Sequence, residues 1–184
     1  MLAKYITAPQ SVFSAKFLVL FCLSLGLLIL SSKIQVPMFP VPITFQTAII
    51  LLIPALCGLN MGLSVLGSYF ALGAIGLPVF AMAAGAVPGP AYFIGPTGGY
   101  LAGFVIAMFF VAALIQKMPS RNFFLLSLLF LAAHLVILFF GWGWLSYGLP
   151  HIGAEKAFIG GVVPFITGSI LKSFFVAAIV KGVK

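Results

Sequence analysis

Long apolar stretches alternate with short polar or Pro/Gly-rich punctuation along this chain. A helix needs roughly 20 apolar residues to cross a bilayer, with about 17–25 tolerated. That pattern predicts six spans, at about 14–32, 43–58, 61–77, 98–117, 122–143 and 160–181. Spans two and three are short. GLNMG (Gly58 to Gly62) joins them and predicts a tight turn with Asn60 at its tip. Span five is expected to begin after KMPSRN, where Pro119 and Ser120 give a helix-start signal.

A seventh apolar region, LPVFAMAAGAVPGPAYFIGPTGG, contains Pro78, Pro88, Pro90 and Pro96 with five glycines among Gly85 to Gly99. Such a stretch does not hold a helical hydrogen-bond ladder. Irregular backbone at membrane depth is tolerated only where protein buries it or it lines a cavity, so this segment is expected to pack into the bundle or across its mouth. The predicted fold class is an all-α integral membrane protein. Residues 1–184 form one domain of six transmembrane helices, with structured Pro/Gly-rich loops on the outer face. The first span has no small-residue cleavage site after it and is expected to be retained.

Composition narrows the class. Of 184 residues, 64% are hydrophobic and 5% charged, with a mean hydropathy of +1.32. Soluble domains carry about a quarter charged residues, so lipid is the solvent of this surface. Nine Lys and Arg face one acid, Glu155. The cations form no stripe or cluster; they lie near the ends of apolar runs, which excludes nucleic acid as the partner and fits the cytoplasmic bias of basic loops. Placing both termini in the cytoplasm puts Lys4, Lys16, Lys117, Arg121, Lys181 and Lys184 inside and Lys33 and Lys156 outside. The loops 33–42, 78–97 and 144–159 then face outward. Trp142, Trp144 and Tyr147 fall where span five leaves that face, as membrane-interface anchors do. Cys22 and Cys57 lie inside apolar runs and give no disulfide framework.

Few chemistries are open to such a chain. With no Asp and one Glu there are no paired carboxylates, and no Ser–His–Asp set. The two His and two Cys are dispersed, so no metal site is expected, and no GxxxxGK[ST] loop is present. No catalytic residue and no cofactor are assigned. Lys172, in PFITGSILK, is the most informative charge. A lysine within a span faces a partner, a wet cavity or a bound anion, or it snorkels to an interface. Ser169, one turn earlier on the same helix face, either caps the helix or hydrogen-bonds a ligand. Thr44 and Gln46 at the start of span two have the same two readings. His134 among leucines reads as a packing residue, and Tyr69 and Tyr100 as interhelical hydrogen-bonding groups. Cys22 and Gly26 form a small-xxx-small step in span one, a surface on which another helix can approach closely.

Three stretches, VPMFPVPITFQT, GLPVFA and IGPTGGYLAGF, resemble in order and spacing the BioY family, the biotin-specific substrate-binding (S) components of energy-coupling factor (ECF) vitamin transporters. The resemblance covers roughly residues 15–182. The family run before the last helix reads close to PF-x-PGD-x-x-K. Here Lys172 matches its lysine, while Thr167 stands at its second proline and Ser169 at its aspartate. The resemblance implies a six-helix S component that captures biotin from outside. It also implies a transmembrane T component and two ATPase subunits as partners in the cell membrane. Lys172 would meet the carboxylate or polar head of the ligand. Ser169, Thr44 and Gln46 would hydrogen-bond it, and Phe39, Tyr92 and Phe93 would wall its ring. Met82 stands where some members place a polar residue, and Cys22 and Gly26 would dock the T component. Pro37, Pro40 and Pro42 would keep the first outer loop pre-extended as a lid. The alternatives are an S component for a different vitamin or precursor, or a solitary facilitator working without an ATPase.

Overall fold

The computed structural model describes residues 15–81, 88–118, 120–149 and 151–183. In chain order these form α1 (Ala15–Lys33), β1 (Gln35–Val36), β2 (Ile43–Thr44), α2 (Gln46–Cys57) and α3 (Leu59–Ala74). A one-turn helix α4 (Ala91–Ile94), then α5 (Gly98–Ile115) and α6 (Phe123–Gly143), follow. A π-helical turn (Trp144–Gly148), α7 (Ala154–Gly161) and α8 (Val163–Gly182) complete the order. Four helical stretches are long and apolar enough to cross a membrane: Ala15–Lys33, Gly98–Ile115, Phe123–Gly148 and Ala154–Gly182. The shorter apolar helices α2 and α3 accompany them. The result is a mostly helical, multi-pass membrane architecture.

α2 is the axis of the packing. It touches α1, α3, α5, α6 and α8, and an unbroken run from Ala48 to Ala55 is buried. A helix apolar on every side belongs in a core. Its neighbours α5 and α6 form the most extensive helix pair, and α6 packs next most extensively on α8. Glycines permit the α5–α6 approach. A Cβ on Gly103 would stand 3.0 Å from the Ile137 Cα and 3.1 Å from the Ile137 carbonyl oxygen. Gly99 lies against Trp144 and Phe140, and Gly141 against the Tyr100 ring.

The chain departs from the predicted boundaries where local chemistry overrides hydropathy. Asn60 is not a turn tip but lies in the first turn of α3. The break between α2 and α3 is Gly58 alone, whose φ of +84° suits a residue without a Cβ. Ser120 lies outside α6. Its cap is Asn122, whose side chain accepts a 2.9 Å hydrogen bond from the Phe124 amide. Ile43 and Thr44, expected in span two, pair with Val36 and Gln35 in an antiparallel hairpin. Span three stops at Ala74. The region 144–159, expected as a loop, is largely helical. The last helix starts at Val163, after α7 ends at Gly161.

The apolar, Pro-rich region is packed inside only in part: Leu77, Pro78, Pro88, Pro90 and Ile94 are exposed. Val79, Phe80 and Ala81 are buried, and each of their carbonyls is met by a side chain. Ser32 Oγ and Tyr69 OH donate to Val79 O at 2.6 and 3.2 Å, Lys33 Nζ to Phe80 O at 2.6 Å, and Tyr92 OH to Ala81 O at 2.6 Å. The Phe80 ring stacks on Tyr92 at 4.4 Å and meets Tyr69 edge-on at 5.1 Å. Such pairs contribute about 0.5–1.5 kcal/mol beyond burial.

The tight α5–α6 seam gives a test. Gly103→Val forces a branched side chain against the Ile137 backbone and should cost about 1–3 kcal/mol. It is read as a lowered melting temperature of the detergent-solubilised protein, whereas Gly26→Val, with open space at its Cβ, should leave that temperature unchanged.

Candidate functional site

The hairpin, the first turn of α2, and the facing sides of α5, α6 and α8 line a cavity with about 490 Å³ of space between its walls, open solvent at its mouth included. Its walls are mostly apolar. Val41 and Pro42 come from the hairpin loop, Phe104 from α5, Ile137 and Leu138 from α6, and Phe165 from α8. The hairpin loop turns one flank inward: Pro40, Val41 and Pro42 are buried while Val36, Pro37 and Phe39 are exposed.

Polar groups converge from both ends of the sequence. Lys172, on α8, is 7% exposed. Its Nζ donates to Thr44 O at 3.1 Å and to Thr47 Oγ1 at 2.8 Å, so its partners are neutral oxygens on the other side of the cavity. An ammonium has three hydrogens to donate, and these two bonds leave one free. Gln46, at the start of α2, is 4% exposed, and its Nε2 is buried without a hydrogen-bond partner. Ser169 lines the same space from α8, and Thr97, Tyr92 and Tyr100 from the α4–α5 side. Burial raises the Tyr92 phenol above its ordinary pKa, so its hydroxyl stays a donor to Ala81 O. Tyr100 OH donates to Gly161 O at 2.7 Å and joins α5 to the α7–α8 junction. Trp144 Nε1 donates to Gly95 O at 2.9 Å and Trp142 Nε1 to Ala154 O at 3.2 Å, so both indoles tie the chain to itself.

His134, in the middle of α6, also lines the cavity and is 1% exposed. Its Nδ1 lies 2.9 Å from Phe130 O and 3.1 Å from Ser173 Oγ, and Ser173 Oγ donates to Ser169 O at 2.7 Å. Its Nε2 is buried and has no hydrogen-bond partner.

Of the residues singled out from sequence, Lys172, Ser169, Thr44, Gln46 and Tyr92 line one cavity. Phe39 does not: it is 81% exposed on the hairpin loop, and Val41 and Pro42 of that loop line the space instead. Phe93 is half-buried outside the lining, edge-on to Phe70 at 5.6 Å and to Phe80 at 5.5 Å. Met82 lies outside the described residues. Cys22 and Gly26 are remote from the cavity. Cys22 is exposed on α1 and a Cβ on Gly26 would meet nothing within 4 Å. Sequence reasoning missed Thr47 and Thr97, favoured packing for His134, and read Tyr100 as an interhelical hydrogen-bonding group, which its bond to Gly161 O makes it. The Thr44–Thr47 spacing, one turn along the entrance to α2, is the signal that marks Thr47.

Comparison with known proteins follows this geometry. The model of the BioY family matches residues 6–184. A protein of Pyrococcus horikoshii described as a probable biotin transporter BioY is 38% identical over 159 residues, 86% of this chain and 90% of that protein. The biotin transporter BioY of Thermotoga maritima is 34% identical over 159 residues, with the same shares covered. Among solved structures, the S-component for biotin from an ECF-type ABC transporter superposes with a TM-score of 0.79 at 28% identity. The match covers 95% of this chain and 94% of that one.

The lysine clasp predicts its own energetics. Thr47→Val keeps the volume and removes the hydroxyl that Lys172 meets. A hydrogen bond to a charged group contributes about 1.5–3 kcal/mol, so the ligand-free protein should melt lower than wild type, and Thr47→Ser, which keeps the hydroxyl, should recover most of the loss.

Proposed function

The chain belongs to the BioY family, and from that premise we propose that it is a membrane-embedded, high-affinity binding subunit that captures biotin from outside the cell. The observation that carries this reading is the largely apolar cavity closed by the Lys172 clasp. Biotin combines an apolar thioether bicycle, a ureido group and a valerate anion. A greasy chamber with one ammonium and a few hydroxyl and amide groups suits that combination. Lys172 has a hydrogen free for the carboxylate or polar head. Ser169, Thr44 and Gln46 supply hydrogen bonds, and Val41, Pro42 and Tyr92 supply wall.

In this reading α1, α2, α3, α5, α6 and α8 are six transmembrane helices of a single domain. Both termini lie in the cytoplasm, which puts the hairpin and the α3–α5 and α6–α8 connections on the outer face. Biotin passes inward through an ATP-driven ECF complex with a T component and two ATPase subunits. The exposed α1 surface around Cys22 and Gly26, where a Cβ would meet open space, is the place for the T component. The hairpin loop closes the cavity, and its prolines limit the entropy lost when it orders over a ligand.

Titration calorimetry of the detergent-purified chain with biotin tests the reading. Tight, saturable binding is expected, with at least about tenfold loss in Lys172→Ala. Absence of binding by the intact chain refutes it. Replacing Pro40 and Pro42 together by Gly frees the loop by about 0.4–1 kcal/mol per residue. The double variant should bind biotin several-fold more weakly while eluting as the wild type does on size exclusion. Unchanged affinity would remove the loop from the capture step.

A further inference from the structure

We infer that His134 is a specificity-determining residue of this cavity, its Nε2 accepting a hydrogen bond from an N–H of the ligand's ureido group. The inference rests on the biotin reading above and adds to it which side chain reads the urea.

The tautomer follows from the neighbours. Phe130 O, 2.9 Å from Nδ1, can only accept. Ser173 has one hydroxyl hydrogen, and it goes to Ser169 O at 2.7 Å, so at 3.1 Å Ser173 Oγ also accepts from the ring. The Phe130 contact places the hydrogen on Nδ1, and the Ser173 contact is compatible with it. In the neutral ring Nε2 is then a bare lone pair. That atom is buried, has no partner, and belongs to a side chain that lines the cavity. A buried acceptor left unmade is costly, and a ligand N–H in the cavity removes the cost.

The chemistry of the surroundings sets the class of group. No residue that lines the cavity is a carboxylate, and the chain's one acid, Glu155, is exposed on α7. Thr44, Thr47 and Ser169 offer weaker, hydroxyl or carbonyl acceptors. The second orphan, Gln46 Nε2, is a donor, as is the free hydrogen of Lys172. The cavity thus presents unspent donors and an unspent imine acceptor together. A cyclic urea, with one carbonyl and two N–H groups, answers both needs, and a carboxylate or an ester answers only the donors. Ser173 acts through the ring, as a positioning residue that fixes its tautomer.

The experiment is biotin calorimetry on the full chain in detergent with His134→Gln and His134→Asn. A Gln carbonyl reaches the Nε2 position while its amide nitrogen faces Phe130 O; the shorter Asn does not reach. His134→Gln should bind within about threefold of wild type and His134→Asn about tenfold or more weaker. His134→Phe, which fills the ring's volume without an acceptor, is the second acceptor-free variant. Biotin methylated on both ureido nitrogens is the control ligand, and its affinity should not change between wild type and the acceptor-free variants. Wild-type affinity in His134→Asn or His134→Phe overturns the inference, as does equal loss in the Gln, Asn and Phe variants, which would assign the ring a role by shape. Equal weakening towards the methylated ligand overturns it as well. Absence of biotin binding by the wild type is a separate failure, of the functional reading itself, and takes this inference with it.

Discussion

Backbone carbonyls that leave a helix inside a membrane protein must find a donor within the protein, since lipid offers none. The described part of this chain meets that demand with side chains. Ser32, Lys33, Tyr69 and Tyr92 serve the carbonyls of residues 79–81. Trp144, Trp142, Tyr100 and Lys172 serve those of Gly95, Ala154, Gly161 and Thr44. These polar side chains are thereby committed to holding residues 79–81, Gly95, the hairpin and the two ends of α7 in place. The irregular walls of the cavity exist because these donors are there, and the helices of the bundle are positioned by the same bonds.

That commitment makes the exceptions informative. Among the described residues, two buried polar atoms that make no geometric hydrogen bond, Gln46 Nε2 and His134 Nε2, belong to residues lining the cavity. Lys172 is intermediate: two of its donors hold the hairpin to α8, and one remains. Substitution of a scaffold donor and substitution of a leftover group are therefore different experiments, one read in melting temperature and the other in ligand affinity.

Much of this was legible in the sequence, and the remainder has physical causes. Hydropathy located each apolar helix, and the clustering of prolines kept 78–97 from being taken as a span. Lys172, Thr44 and Gln46 were legible as candidates because an ammonium, or a polar pair after a proline run, is out of place in an apolar chain. Turn positions were less legible. Gly58 alone turns the chain, and Asn60 was a plausible but idle turn former. Asn122 outcompeted Ser120 as a cap because its side chain reaches the Phe124 amide. The two-residue strands and the π-helical turn are too short to leave a periodic trace. His134 was legible only as packing, because its meaning depends on Ser173, 39 positions away. Phe39 was expected against the ligand, yet the loop turns the consecutive residues Pro40, Val41 and Pro42 inward in its place.

The lengths of the central helices set the depth of the chamber. At about 1.5 Å per residue, the 12 residues of α2 extend about 18 Å, against a hydrocarbon thickness of about 30 Å. The shortfall falls beside the start of the helix, where Gln46 lies next to the hairpin and the cavity. The space a longer helix would have filled is lined instead from the hairpin down to His134, halfway along α6. A short central helix thus leaves an interior volume that the longer helices around it wall but do not fill.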